Sequence, residues 1–473
     1  MNRPIRKVAI LTIALFTALM LNLSASYLFR SDALNARPEN LRVNDARFSA
    51  DRGPIMVGNA PIAESDPVKD KYKFQRSYPS GELYAPVTGF YSYLYGSSGL
   101  ENTFSSQLAG VDDSQFLDRL VHLASGFSPR GATVETTLNA KAQRAAWRGL
   151  DGRKGAVVAI DTSTGAIRAL VTSPSYDPNV LAVHDTEKTT TAWDKLNADP
   201  DRPMANRAAR EIYPPGSTFK VVVAAAALAA GMTPSSEIDA TPFKLPGSTV
   251  VISGNCGGTR ITLQQALEVS CNPGFARLGV QLGADALREQ AERFGFGSTF
   301  LTDIKSAASK FPESPDDAQT GMSAIGEFEV AASPLQMALV AAAVANDGVV
   351  MKPYLVQRVV SADLTTVISD TRPSQASNAL GASDAAGLRQ MMISVVENGT
   401  GSRAQVDGIT VGGKTGTAHS DNVRRPYAWF IAFAEELDLA VCVFVEDAEI
   451  PATDIAGGRL AAPIAKAVIE AMR

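Results

Sequence analysis

The chain has 473 residues, 45% of them hydrophobic and 20% charged, with a net charge of −5 at neutral pH. That length exceeds one ordinary core and predicts two or more domains, and the composition is that of a globular protein, neither disordered nor fibrous. An acidic balance without a basic patch excludes a nucleic-acid binder, whose footprint would be clustered cations and a high pI.

Arg3, Arg6 and Lys7 precede an apolar run from Val8 to Phe29, broken only by Thr12, Thr17, Asn22 and two serines. As a helix rising 1.5 Å per residue, such a run spans roughly 30 Å of hydrocarbon. Three cations before it, against Arg30 alone just after it, predict a cytoplasmic N-terminus and an extracytoplasmic remainder. A cleavable signal peptide is the alternative, because Ser24-Ala25-Ser26 supplies small residues. The run continues through Tyr27-Leu28-Phe29 past that point, which favours a retained anchor over residues 1–30.

Residues 31–150 are mixed and poor in long periodic helices, as a spacer or pedestal would be. They hold Arg52-Gly53-Pro54-Ile55, the turn Tyr78-Pro79-Ser80-Gly81, and an alternation from Tyr84 to Tyr93 that predicts a strand. A helix is predicted over Ala140–Leu150, with Lys141, Arg144 and Arg148 toward solvent and Ala142, Ala145, Ala146 and Trp147 packing. At Gly155 the pattern changes. Ala156–Ile160 and Ala166–Val171 flank a polar turn closed by Gly165, and Ala428–Ala434 and Leu439–Glu446 flank a second turn. Helical stretches at 218–230, 262–282 and 334–346 lie between the hairpins, and a last helix covers Leu460–Met472. Hairpins at both ends with helices between them predict an α+β domain over 151–473. No internal repeat is visible.

The three cysteines, Cys256, Cys271 and Cys442, are too few and too scattered for a zinc site or a disulfide framework. A Cys256–Cys271 bridge would tie the segment around Ser270 to the loop before it, and two buried thiols fit equally well. Cys442 lies in a run that reads as a buried strand.

Three short motifs carry the chemistry. Ser217-Thr218-Phe219-Lys220, Ser270-Cys271-Asn272 and Lys414-Thr415-Gly416 follow one another with gaps that one domain can bring together. Tyr213-Pro214-Pro215-Gly216 cannot be helix interior, so Ser217 sits at or near a helix start. Lys220 is then one turn on, within reach of the Ser217 hydroxyl. A lysine at its ordinary pKa of about 10.4 is protonated and useless as a base. Desolvation or a neighbouring cation, for which Lys414 is available, would have to depress it. Ser270 can relay a proton and Asn272 can hold a carbonyl. Val411–Ala418 reads as a strand whose glycines signal close approach of backbone or ligand, and Thr415 and Thr417 offer hydroxyls suited to a carboxylate. Together these are the parts of a histidine-free acyl-transfer site.

One rival is literal. Gly408 to Thr415 satisfies G-x-x-x-x-G-K-[ST], but β-branched Ile409-Thr410-Val411 reads as strand and Gly416-Thr417 is a poor helix start. Strict strand alternation also puts Thr415 and Thr417 on the face opposite Lys414, so how all three reach one ligand stays open. A Ser-His-Asp site is disfavoured. Only His122, His184 and His419 exist, and no G-x-S-x-G elbow surrounds Ser217.

The chain resembles class B penicillin-binding proteins over nearly its whole length. The resemblance rests on the three motifs and on Arg52-Gly53-Pro54-Ile55, Gly99-Leu100-Glu101, Ser173–Asn179 and Asn206-Arg207-Ala208. It extends to Ile325-Gly326-Glu327, Ser333–Ala338 and Asn398-Gly399-Thr400-Gly401. It implies a penicillin-binding/β-lactamase-like transpeptidase domain over 151–473, a pedestal or dimerisation-type domain over 31–150, and a membrane anchor. It also implies a D,D-transpeptidase that cross-links peptidoglycan stem peptides without cofactor or metal and is trapped by β-lactams. By motif, Ser217 would be the nucleophile, Lys220 the base and Ser270 the proton relay. Asn272 would orient the stem peptide and Lys414 shape the field, with Thr415, Gly416 and Thr417 at the terminal carboxylate. Backbone N–H groups of Ser217 and Thr417 would form the oxyanion hole. A membrane glycosyltransferase of the shape, elongation or division type is the implied partner. Two features depart from the pattern: Cys271 occupies a position often filled by aspartate, and His419 follows the third motif. A D,D-carboxypeptidase, or a sensor or scaffold of the same fold, remain as alternatives. A secreted β-lactamase is disfavoured, because anchor and pedestal exceed its needs.

Overall fold

The computed structural model describes residues 3–35, 45, 48–112, 115, 130–418, 426–447 and 455–473. The first helix runs from Arg3 to Asn35, and its apolar side chains from Ile5 to Phe29 are exposed. It is the one helix among the described residues long and apolar enough to cross a membrane.

The pedestal is built on a six-stranded sheet. Its order is Val367–Asp370, Val356–Val360, Thr133–Thr136, Ile55–Val57, Ala60–Pro67 and Phe74–Ser77. Ile55–Val57 runs parallel to Thr133–Thr136, which pairs on its other side, antiparallel, with Val356–Val360. Two of the six strands therefore come from a far later part of the chain. Beneath the sheet, the fully buried Glu101 receives Arg52 Nε at 3.0 Å, Arg76 Nε at 2.5 Å and Tyr78 OH at 3.3 Å. Burial alone would raise the Glu101 pKa, but the adjacent Arg76 and Arg52 hold it below the ordinary carboxylate range.

The strand expected from Tyr84 to Tyr93 is not there. Gly81–Thr88 is a helix that stops at Gly89 in a left-handed conformation, and only Tyr91–Ser92 is extended, paired with Gly96–Ser97. The buried positions, Tyr84, Ala85, Val87 and Thr88, have the i, i+1, i+3, i+4 spacing of a helix face. Over so few residues that spacing resembles alternation.

The second module is a five-stranded antiparallel sheet in the order Val411–Ala418, Tyr427–Ala434, Leu439–Asp447, Lys154–Asp161 and Ile167–Ser173. Both expected hairpins are part of it. Period-two alternation splits its core. Trp429, Ile431, Phe433, Ala440, Cys442 and Phe444 face one cluster, whereas Phe430, Ala432, Val441 and Val443 face the other. Helices cover both faces. Gly457–Ala471 and Ala140–Leu150 pack on one side and Pro334–Ala345 on the other, so the wholly buried strand Tyr427–Ala434 never meets solvent. The stretch expected to be helical over 262–282 is two helices, Leu263–Glu268 and Asn272–Leu282, interrupted where the second motif sits.

Candidate active site

Gly216–Phe219 forms one turn of 3₁₀ helix that feeds the α-helix Lys220–Ala229. Pro214 and Pro215 bar a helix before it, and the Thr218 hydroxyl donates to Pro215 O at 2.7 Å to close the turn. Gly216 has φ 52°, and its N–H donates to Gly326 O at 3.0 Å. A Cβ on Gly216 would stand 2.6 Å from Thr417 O, and one on Gly326 would overlap Gly216. Ser217 is thus wedged between the third-motif strand and Ile325-Gly326, with room only for hydrogen atoms on the neighbouring glycines.

One turn further, Lys220 is fully buried. Its amine donates to Ser270 O at 2.8 Å, to Ser270 Oγ at 3.2 Å and to Asn272 Oδ1 at 2.5 Å. The expected reach to Ser217 is not a formed hydrogen bond, because these acceptors hold the amine on the second motif. Contacts between a hydroxyl and a candidate base commonly tighten only in the substrate complex.

Ser270 fills the break between the two helices with φ 59°, a left-handed conformation that costs a residue with a Cβ about 1–2 kcal/mol. Its neighbours hold it there. Ser270 N–H donates to Leu267 O and Cys271 N–H to Ala266 O at 2.8 Å. Cys271 is bridged to Cys256, with Cα atoms 5.0 Å apart. Asn272 then opens the next helix, with Pro273 in its first turn.

Lys414 is also fully buried, and its amine donates to Thr415 O at 3.0 Å. Among the described residues no carboxylate pairs with Lys414 or Lys220. Burial therefore acts on both unopposed. It pushes Lys414 down to about 7, and burial together with the charge of Lys414 holds Lys220 well below its ordinary range.

The topology answers the alternation problem. Lys414 stands opposite Ile431, and Thr415 and Thr417 stand opposite Phe430 and Ala428, so the threonines do occupy the other face. Val411–Ala418 is, however, the edge strand of its sheet. A cleft of about 550 Å³ runs along that edge, lined by Ser217, Ser270, Asn272, Thr415, Gly416 and Thr417, with the two amines buried behind its wall. At a free edge a ligand meets residues of both faces. Gly416 is required because a Cβ there would come within 2.9 Å of Pro215 O and Thr218 Cγ2. The phosphate-loop alternative fails here, since Lys414 and Thr415 lie mid-strand rather than at a helix start.

Thr400, Glu327 and Arg403 also line the cleft, and motif reasoning did not single them out. Thr400 and Glu327 belong to segments that carried the family resemblance, which was the available signal. Arg403 had none. His122 and His419 lie outside the described residues, and His184 contacts Asp70 in the pedestal.

Residues 155–470 match a family model described as the penicillin binding protein transpeptidase domain, and residues 52–134 one described as the penicillin binding protein A dimerisation domain. The peptidoglycan D,D-transpeptidase PbpA of Mycolicibacterium smegmatis is 42% identical over 490 residues, covering 100% of this chain and 99% of the relative. PbpA of Mycobacterium tuberculosis is 43% identical over 491 residues with the same coverage. Among solved structures, the ceftriaxone acyl-enzyme complex of penicillin-binding protein A from M. tuberculosis superposes with a TM-score of 0.87 at 41% identity. It covers 90% of this chain and 99% of that one. The penicillin G acyl-enzyme complex of the same protein gives 0.84 at 42% identity, covering 89% and 99%.

Proposed function

Because the chain belongs to the penicillin-binding protein transpeptidase family, we propose that its edge cleft carries out D,D-transpeptidation of peptidoglycan stem peptides through a Ser217 acyl-enzyme. The supporting observation is a fully buried lysine one turn from Ser217, bonded to Ser270 and Asn272 and without a carboxylate partner among the described residues. Burial and the neighbouring Lys414 lower its pKa well below the ordinary lysine value, which favours the proton-free form that can act as a base.

In the first half-reaction Lys220 takes the Ser217 proton as Oγ attacks the carbonyl of the penultimate D-alanine. The negative oxygen of the tetrahedral intermediate faces the backbone N–H groups of Ser217 and Thr417. Collapse breaks the peptide bond, and the proton passes from Lys220 through the Ser270 hydroxyl to the departing D-alanine amine. Lys220 is neutral again. In the second half an acceptor amine attacks the ester, returns its proton by the same route and releases Ser217. Asn272 accepts from Lys220 through Oδ1, which leaves its NH₂ to hold the stem peptide. Thr415 and Thr417 take the terminal carboxylate. The Lys414 charge resists protonation of Lys220 and so keeps the base available. β-Lactams acylate Ser217 by the same attack, but their leaving amine stays tethered and blocks the acceptor.

The apolar first helix fits a single-pass anchor. Arg3, Arg6 and Lys7 favour a cytoplasmic N-terminus and place the cleft outside the membrane. The anchor and pedestal would engage a membrane glycosyltransferase that supplies the glycan strand. Chimeras with a swapped anchor and pedestal should lose function in cells while retaining penicillin acylation.

Mass spectrometry of the penicillin adduct tests the whole assignment. The mass should rise by one intact penicillin, located on the peptide containing Ser217. A Ser217→Ala protein that still gained that mass would remove Ser217 from the mechanism.

A further inference from the structure

The turn Asn398-Gly399-Thr400-Gly401 lies between the helix Ala382–Glu397 and the 3₁₀ turn Ser402–Ala404, and it has no part in the mechanism above. It is unusually constrained. A Cβ on Gly399 would come 2.5 Å from Glu268 O, and one on Gly401 would crowd Val395 O and the Phe430 ring. A Cβ on Gly458 would overlap Thr400 O. The Thr400 N–H points at Glu268 O, two residues before Ser270, and the Gly401 N–H donates to Val395 O at 3.0 Å. Held this way, the Thr400 hydroxyl lies 2.7 Å from that of Thr415, at the wall of the cleft.

A hydroxyl has one proton. If Thr415 gives its proton to Thr400, it turns a lone pair toward the cleft and repels a carboxylate. If Thr400 donates instead, Thr415 Oγ accepts on one side and its own proton is free for the ligand. We propose that Thr400 is a positioning residue that fixes the polarity of the Thr415 hydroxyl, so that an O–H···O–H···O⁻ chain receives the terminal carboxylate of the stem peptide or of a β-lactam. This rests on the assignment of Thr415 to that carboxylate. Charge-assisted chains of this kind are stronger than neutral ones.

The test is penicillin acylation resolved into the dissociation constant of the pre-acylation complex and the acylation rate constant. Thr400→Val removes the donor at nearly constant shape. It should weaken the pre-acylation complex about three- to five-fold, the scale of one neutral hydrogen bond, with the rate constant within about two-fold. Thr400→Ser, which keeps the hydroxyl, should restore binding to within about two-fold. Thr415→Val should weaken binding at least as much, and the double variant should be no worse than Thr415→Val alone, as expected for one shared chain. Melting temperatures of the four variants separate a packing defect from lost recognition. If Thr400→Val binds like the unmodified protein while Thr415→Val does not, the positioning role is overturned and the carboxylate assignment stands. If Thr415→Val is also unaffected, both fall.

Discussion

In the pedestal, Arg52 and Arg76 are buried against Glu101; in the cleft, Lys220 and Lys414 are buried with no carboxylate beside them among the described residues. The pedestal cluster compensates desolvation with opposite charge, so Glu101 is held ionised and Arg52 above its ordinary range, and protonation and shape are both fixed. The cleft leaves desolvation uncompensated and adds like charge, so its protonation gives way instead. Burial of charge thus fixes protonation in one region and loosens it in the other. The sign of the neighbouring group decides which.

Variants can break this contrast from either side. Lys220→Met replaces a desolvated amine by an apolar side chain of similar length, so the protein should remain about as stable or gain, while penicillin acylation slows by about 10²–10⁴-fold, the usual worth of a general base. Measuring melting temperature and acylation on one preparation checks both halves. Glu101→Ala should do the reverse. It strands two buried guanidinium groups and should cost about 3–5 kcal/mol in denaturant unfolding, with acylation by the folded fraction changed only a few-fold.

Replacing Cys256 and Cys271 by serine opens a 15-residue loop and should cost about 3 kcal/mol. Because that bridge also holds Ser270 in its left-handed turn, acylation should fall several-fold, which a surface disulfide would not produce. The smallest effect is the sharpest comparison. Lys414 titrates at about 7 when folded and near its ordinary value when unfolded, so the unfolded chain carries more protons between the two. Stability should rise with pH above 7, with Lys414 contributing at most about 1.4 kcal/mol per pH unit, and Lys414→Met should make that limb shallower without abolishing it, because the Lys220 pKa is lowered too. Glu101 acts at the other end. Its folded value is depressed, so its contribution is complete above about pH 4.3, the unfolded value, and is lost as pH falls through the folded one.

Much of the cleft was legible in the sequence, because the first and third motifs announce their own backbone. Pro214-Pro215-Gly216 bars helix interior and so puts Ser217 near a helix start, and Val411–Ala418 reads as a strand that something approaches closely. What could not be read was what arises between elements. The Ser270 turn interrupts a helical pattern through a conformation favoured by no local propensity and fixed by Cys271, Ala266 and Lys220. Thr415 reaches the cleft despite its face because the strand has a free edge, and strand order is a tertiary property. The helix Gly81–Thr88 was misread because eight residues hold too few periods to separate 3.6 from 2.

The six-stranded sheet has a further implication for how the molecule is made. Thr133–Thr136 waits for Val356–Val360, more than two hundred residues later, before its second edge is paired. During synthesis the pedestal therefore emerges with an open strand edge, and it is completed only after most of the catalytic module has been translated. The two modules are coupled through that sheet, which is complete only when both are present. A fragment cut between them would leave each half with a raw edge, the pedestal short of two strands and the catalytic part carrying an unpaired ribbon prone to association.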